Sequence, residues 1–141
     1  MREMSRRPQD TLGRIHRVRS LQLTLARADE ARAHAQVASE AAMSARIAQL
    51  AAAVAPMSGG AATVLAQSHY RERLHKSAQV AADRLAMAEA EADRAVEGAR
   101  AAKRDQSAVE KLLERARLEA LRREARSLED QPHHKKRHGP C

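Results

Sequence analysis

The sequence predicts an all-α chain, with two long helices folded into an antiparallel coiled-coil hairpin, the second helix longer, and a disordered basic tail. Three observations predict this. Steps of four and three from Leu74 land on Ala78, Ala81, Leu85, Ala88, Ala92, Ala95, Ala99, Ala102, Gln106, Val109, Leu113, Ala116 and Ala120, and all but Gln106 are apolar. A seven-residue repeat with two apolar sites lays one stripe along a helix, which a second helix covers by left-handed supercoiling. The second observation is composition. There is no Trp or Phe and one Tyr, and the 43% apolar content is mostly alanine. Each CH2 that alanine lacks relative to leucine forgoes about 0.8 kcal/mol of burial, so a globular core is out of reach while thin, closely approached helices are not. The third is a single strong breaker between Leu12 and Glu129, where Pro56 is followed by Met57-Ser58-Gly59-Gly60.

Taken in order, residues 1–9 read as a flexible basic arm broken by Pro8. Asp10 or Thr11 is the expected N-cap of a first helix over 10–55. Its apolar pattern starts with Leu12, Ile15, Val18, Leu21, Leu25 and Ala28. It continues after a one-residue slip through Ala31, Ala35, Ala38 and Ala42, and ends after another with Ile47, Leu50 and Val54. Such slips overwind or underwind a coiled coil without ending it. A turn over 56–60 leads into the second helix, 61–129. There Glu91/Arg94, Glu97/Arg100, Glu114/Arg117 and Glu119/Arg123 sit at helical neighbour spacing. Residues 130–141 have nothing to pack and are expected to be a disordered His/Lys tail.

A short connection makes the two helices antiparallel neighbours. Folding at Ser58 sets Val54 near Ala62, Ile47 near Ser68 and His69, Leu25 near Glu91 and Ala92, and Leu12 near Arg104. The first helix then runs out near Gln106. A helix of roughly 69 residues beside one of roughly 46 leaves an overhang of about 35 Å at 1.5 Å per residue. In this register Val109, Leu112, Leu113, Leu118, Leu121 and Leu128 lack a partner within the chain, which calls for a second protein.

The net charge of +8 is unevenly placed. Arg2, Arg6, Arg7, Arg14, Arg17 and Arg19 gather at one end, and Lys135, Lys136 and Arg137 at the other, with a nearly neutral stretch between. That distribution disfavours a nucleic-acid stripe along the length. Cys141 is the only cysteine, so no intramolecular disulfide framework exists. No apolar run reaches membrane-spanning length and no signal peptide is read at Met1, so a cytoplasmic location is expected. No catalytic constellation, Gly-rich phosphate loop or HExxH pair appears, and neither enzymatic activity, a small-molecule substrate nor a cofactor is expected. His133, His134, His138 and Cys141 offer metal-ligand types, but at a spacing that matches no structural zinc pattern. Tyr70 and Leu74 form an i, i+4 apolar pair early in the second helix, read either as a staple of the hairpin tip or as a patch for a partner, with the staple favoured.

A basic first helix, a Pro/Gly break, a Tyr-x-x-x-Leu start to a longer second helix and the string Arg104-Asp-Gln-Ser-Ala-Val-Glu-Lys-Leu-Leu together resemble the FliJ family, the stalk component of bacterial flagellar type III export. The resemblance covers about residues 10–130. It implies a hairpin similar to the gamma subunit of rotary ATP synthases, which binds the export ATPase (FliI-like), promotes assembly of its ring, contacts the export gate protein (FlhA-like) and handles export chaperones at the inner-membrane apparatus. By resemblance, Leu12, Ile15, Leu21, Leu112, Leu113, Leu118 and Leu121 would meet the ATPase, and Tyr70 and Leu74 the gate. Family members carry further aromatics late in the first helix, where this chain has Ile47, Leu50 and Val54. The alternative reading is a structural or scaffold coiled coil that self-associates through an overhanging C-terminal helix. A basic nucleic-acid-associated rod is a third.

Overall fold

The computed structural model describes residues 2–54 and 59–132, with side-chain surroundings from Arg7 onward. Two helices account for nearly all of it: α1 (Arg2–Ala52) and α2 (Ala61–Glu129), packed against each other as a helical hairpin, with no strand among the described residues. The chain divides into two compact units. One comprises Met1–Leu21 with Arg104–Cys141, and the other Gln22–Lys103.

In the first unit the opening of α1 runs antiparallel to the end of α2. The side-chain amide of Gln9 donates to the Ala116 carbonyl at 3.2 Å, and Arg19 reaches Asp105 at 3.4 Å. Half-buried Leu12 and His16 on α1 share this seam with half-buried Val109, Leu113, Ala116 and Ala120 on α2. Half-buried Arg19 meets exposed Asp105 through its guanidinium, the usual way a long cation occupies an apolar boundary.

In the second unit the buried residues are Leu23, Ala81, Ala88, Ala92 and Ala99, so the core is alanine with one leucine. Half-buried Ala26, Glu30, Ala33, Val37, Glu40, Ser44 and Ile47 continue the α1 side. Every position from Leu74 to Ala120 that the α2 repeat singled out is buried or half-buried, Gln106 included. Polar members of the α1 seam keep partners along their own helix: Glu30 faces His34, and Glu40 accepts from Gln36 at 2.9 Å.

The seam on α1 differs from the expected one. The large aliphatics Ile15, Val18, Leu21 and Leu25 are exposed, and the covered residues are Gln9, Leu12, His16, Arg19, Leu23 and Ala26, continuing without a slip to Ile47. The reason is phase. The row through Ile15, Val18 and Leu25 runs on to Asp29, Arg32 and Gln36, whereas the row through Leu12 and Leu23 reaches Ala33, Val37 and Ile47 in unbroken steps of three and four. A partner stripe with no slip selects the α1 row with no slip.

The register also differs. The bonds from Gln9 to Ala116 and from Arg19 to Asp105 place α1 about eight residues further along α2 than folding at Ser58 does, a displacement of about 12 Å. A shallow groove in the second unit, which Glu40, Met43 and Ile47 share with Ser77, Val80 and Arg84, has the same register. The long overhang beyond Gln106 is therefore absent, because α1 starts at Arg2 and covers α2 to about Ala120. Pro8 lies inside α1, so it costs one hydrogen bond of the second turn without ending the helix. Thr11 is not an N-cap, and its hydroxyl donates to the Arg7 carbonyl at 2.8 Å within the helix.

At the connection, Ala53 N–H still bonds the Gln49 carbonyl, and Gly60 opens α2 by accepting from Thr63 and Val64 N–H. A Cβ on Gly59 would sit 3.1 Å from Thr63 Cβ, so a side chain there would require Thr63 to shift by a few tenths of an ångström. Pro56, Met57 and Ser58, and the residues His133, His134, His138 and Cys141, lie outside the described residues.

Two substitutions test the α1 phase. Leu23 is 7% exposed and Leu25 66%. Leu23→Ala is expected to cost about 2 kcal/mol, and Leu25→Ala less than about 0.5 kcal/mol, in urea unfolding followed by circular dichroism. Equal losses would mean that the row through Leu25 faces α2.

Candidate partner-binding surfaces

The residues expected at the ATPase-binding end separate into two groups in the first unit. Leu12 and Leu113 are half-buried in the seam, where they hold the helices together. Ile15, Leu21, Leu112, Leu118 and Leu121 are exposed. The exposed leucines of α2 do not share a face. At 3.6 residues per turn Leu112 flanks the seam residue Leu113 on one side, Leu121 lies toward the other, and Leu118 falls near the back. From Leu121 to Asp130 every residue is exposed, with Leu121 and Leu128 one heptad apart. This end therefore carries apolar side chains around several sides of α2 instead of a single stripe. The cause is that α1 already occupies the side where the stripe runs.

Tyr70 and Leu74 part company in the second unit. Leu74 turns into the seam and is half-buried, while Tyr70 is 47% exposed. Four residues apart, they are neighbours along α2, but Tyr70 is not among the residues that cover the seam. Nearby, Leu50 on α1 and Val64 and Leu65 on α2 are also exposed. Val64 and Leu65 precede Leu74, where the apolar repeat of α2 starts. Their signal in the sequence was local composition rather than spacing.

Surface charge on α2 is arranged in local pairs. Arg94 bonds Glu91, Arg100 meets Glu97 at 2.8 Å, and Lys76 meets Glu72 at 3.3 Å. Arg123 stands 4.0 Å from Glu119, whereas no ion pair joins Glu114 to Arg117. All are solvent-exposed, and each contributes a few tenths of a kcal/mol at most. Among the described residues no group of three or more His, Cys, Asp or Glu side chains is placed to hold a metal ion, and no helix is long and apolar enough to cross a membrane.

One buried polar atom stands out in the first unit. His16 Nε2 has no hydrogen-bond partner among the described residues. An unpaired polar atom in a seam costs on the order of 1 kcal/mol or more. His16→Leu is accordingly expected to raise the urea midpoint, by about 1 kcal/mol in stability. A lowered midpoint would mean that the imidazole makes an interaction the seam depends on.

Compared with protein-family models, with curated proteins and with solved structures, the chain finds no match.

Proposed function

We propose that this chain is a FliJ-like, non-enzymatic component of a bacterial flagellar type III export apparatus. It binds the export ATPase, promotes assembly of the ATPase ring and couples it to the export gate, acting at the cytoplasmic side of the inner membrane. The observation that carries this reading is the set of exposed apolar side chains in the first unit. Ile15, Leu21, Leu112, Leu118 and Leu121 are exposed around several sides of one end of a two-helix hairpin whose second helix is the longer. A partner that encircles that end can bury side chains on several faces at once, whereas a flat groove can reach only one. Tyr70 supplies an exposed aromatic for the gate, and export chaperones remain candidate partners through the same surfaces.

The second reading, a scaffold that self-associates through the end of α2, is favoured by the exposed Leu121 and Leu128 at heptad spacing. With about two and a half turns of α2 left uncovered, roughly 13 Å, the stretch is short for a stable coiled coil.

Co-purification with the same organism's export ATPase tests the proposal. The wild-type chain is expected to bind the ATPase and promote hexamers. Leu112→Asp with Leu118→Asp, both at exposed positions, is expected to weaken binding at least about tenfold while helicity is unchanged. A wild-type chain that neither binds nor promotes hexamers would end the export reading. A concentration-dependent dimer in sedimentation, abolished by Leu121→Asp with Leu128→Asp, would put the scaffold in its place.

A further inference from the structure

From Ile47 through Tyr70 no residue carries a charge, in a chain whose charged content is 31%. The described part of that run forms the connecting end of the second unit: the last turns of α1, Val54, Gly59, Gly60 and the first turns of α2. In the register of this unit α1 stops at Ala52, so among the described residues no helix faces the turns of α2 before about Glu72. Ala61 to Ala66 are exposed without exception, as are Ser68, His69 and Tyr70. Apart from half-buried Gln67, the start of α2 up to Tyr70 is exposed, and it is uncharged on every side. A helix built for a protein groove has one apolar face and a charged back. One that lacks charge on every side suits a medium that surrounds it.

The charge that flanks the segment is mainly basic. Arg46 precedes it, and Arg71, Arg73 and Lys76 follow it, all exposed. No acidic residue lies between Glu40 and Glu72, and Glu72 is paired to Lys76. An uncharged tip with exposed Leu50, Val64, Leu65 and Tyr70 behind which basic side chains form a collar matches the boundary of an anionic bilayer. There apolar groups enter the acyl boundary, tyrosine favours the interface and cations meet headgroups.

We propose that this end of the second unit inserts shallowly into an anionic lipid surface, with Leu50, Val64, Leu65 and Tyr70 entering and Arg46, Arg71 and Arg73 holding the headgroups. Insertion stays at the headgroup and acyl boundary, because the non-helical backbone at Val54 and Gly59–Gly60 needs polar partners that the hydrocarbon interior lacks. The inference goes beyond the export reading and does not depend on it.

Tyr70 is the only aromatic residue, so the intrinsic fluorescence of the whole chain comes from this tip. The test uses the full chain with phosphatidylglycerol/phosphatidylcholine vesicles at near-physiological salt, read by flotation and by quenching of Tyr70 with acyl-brominated lipid. The wild type is expected to float with these vesicles, with Tyr70 quenched. Val64→Glu with Leu65→Glu places acids near a helix start, where they suit the helix, and is expected to lower the bound fraction about tenfold with helicity intact. Arg71→Gln with Arg73→Gln is expected to lower it by roughly tenfold or more on anionic vesicles. The basic chain ends offer a rival attachment that leaves Tyr70 in water. Flotation with no quenching, or flotation unaffected by the glutamates, would overturn the proposal, and so would no flotation at all, leaving the tip to a protein partner.

Discussion

The helical pairing depends on keeping one phase. The α2 repeat places small side chains, chiefly Ala81, Ala88, Ala92 and Ala99, where α1 must lie. Alanine contributes little burial per residue, so the pairing energy accumulates only if every turn contributes. A slip would cost more than any one position returns, which is why α1 gives up burial of Ile15, Val18, Leu21 and Leu25 and accepts Gln9, His16, Arg19, Glu30 and Glu40 along its seam instead. These polar members are tolerated because most of them end at the edge of the seam, where carboxylates, amides or backbone carbonyls receive them. Local stability is therefore expected to be modest, with no large side chain fully buried among the described residues.

The same constraint explains where the exposed apolar residues lie. Once the seam has claimed one row of each helix, the remaining leucines are left outside. In the first unit they are spread around α2 at Leu112, Leu118 and Leu121, and in the second Leu25, Met43, Val80 and Met87 lie along the helices while Leu50, Val64 and Leu65 lie with Tyr70 at the connecting end. The proposed encircling partner at one surface and lipid contact at the other rest on this all-round exposure. A second copy of the chain lying along one side would reach only part of either group.

The fold class was legible in the sequence because α2 advertises its seam with hardly a break and Pro56 with two glycines marks the reversal. The α1 seam was not, because hydrophobicity pointed to Ile15, Val18 and Leu25, and the winning row includes His16, Arg19 and Glu30. The phase of the weaker helix is set by the stronger one, an effect that a helix read alone does not contain. The register was misjudged for a related reason. Folding at Ser58 assumes that both helices leave the turn symmetrically, whereas α1 stops at Ala52 and α2 projects before Glu72. Of the expected site residues, Leu12, Leu74 and Leu113 were legible as members of the apolar stripes, although folding at Ser58 left Leu113 without a partner. Tyr70 and Leu118 were legible as available, since neither fits the row of steps that fills the seam.

Disulfide trapping tests the register most directly, in a Cys141→Ser background where no native thiol competes. Gln9→Cys paired with Ala116→Cys should close rapidly under mild oxidation, because these two residues meet across the seam. Gln9→Cys paired with Ser107→Cys, the partners that symmetric folding at Ser58 would bring together, should stay reduced. Closure of the second pair and not the first would contradict the account, restoring a long uncovered end to α2 and removing the bare, uncharged projection at the other.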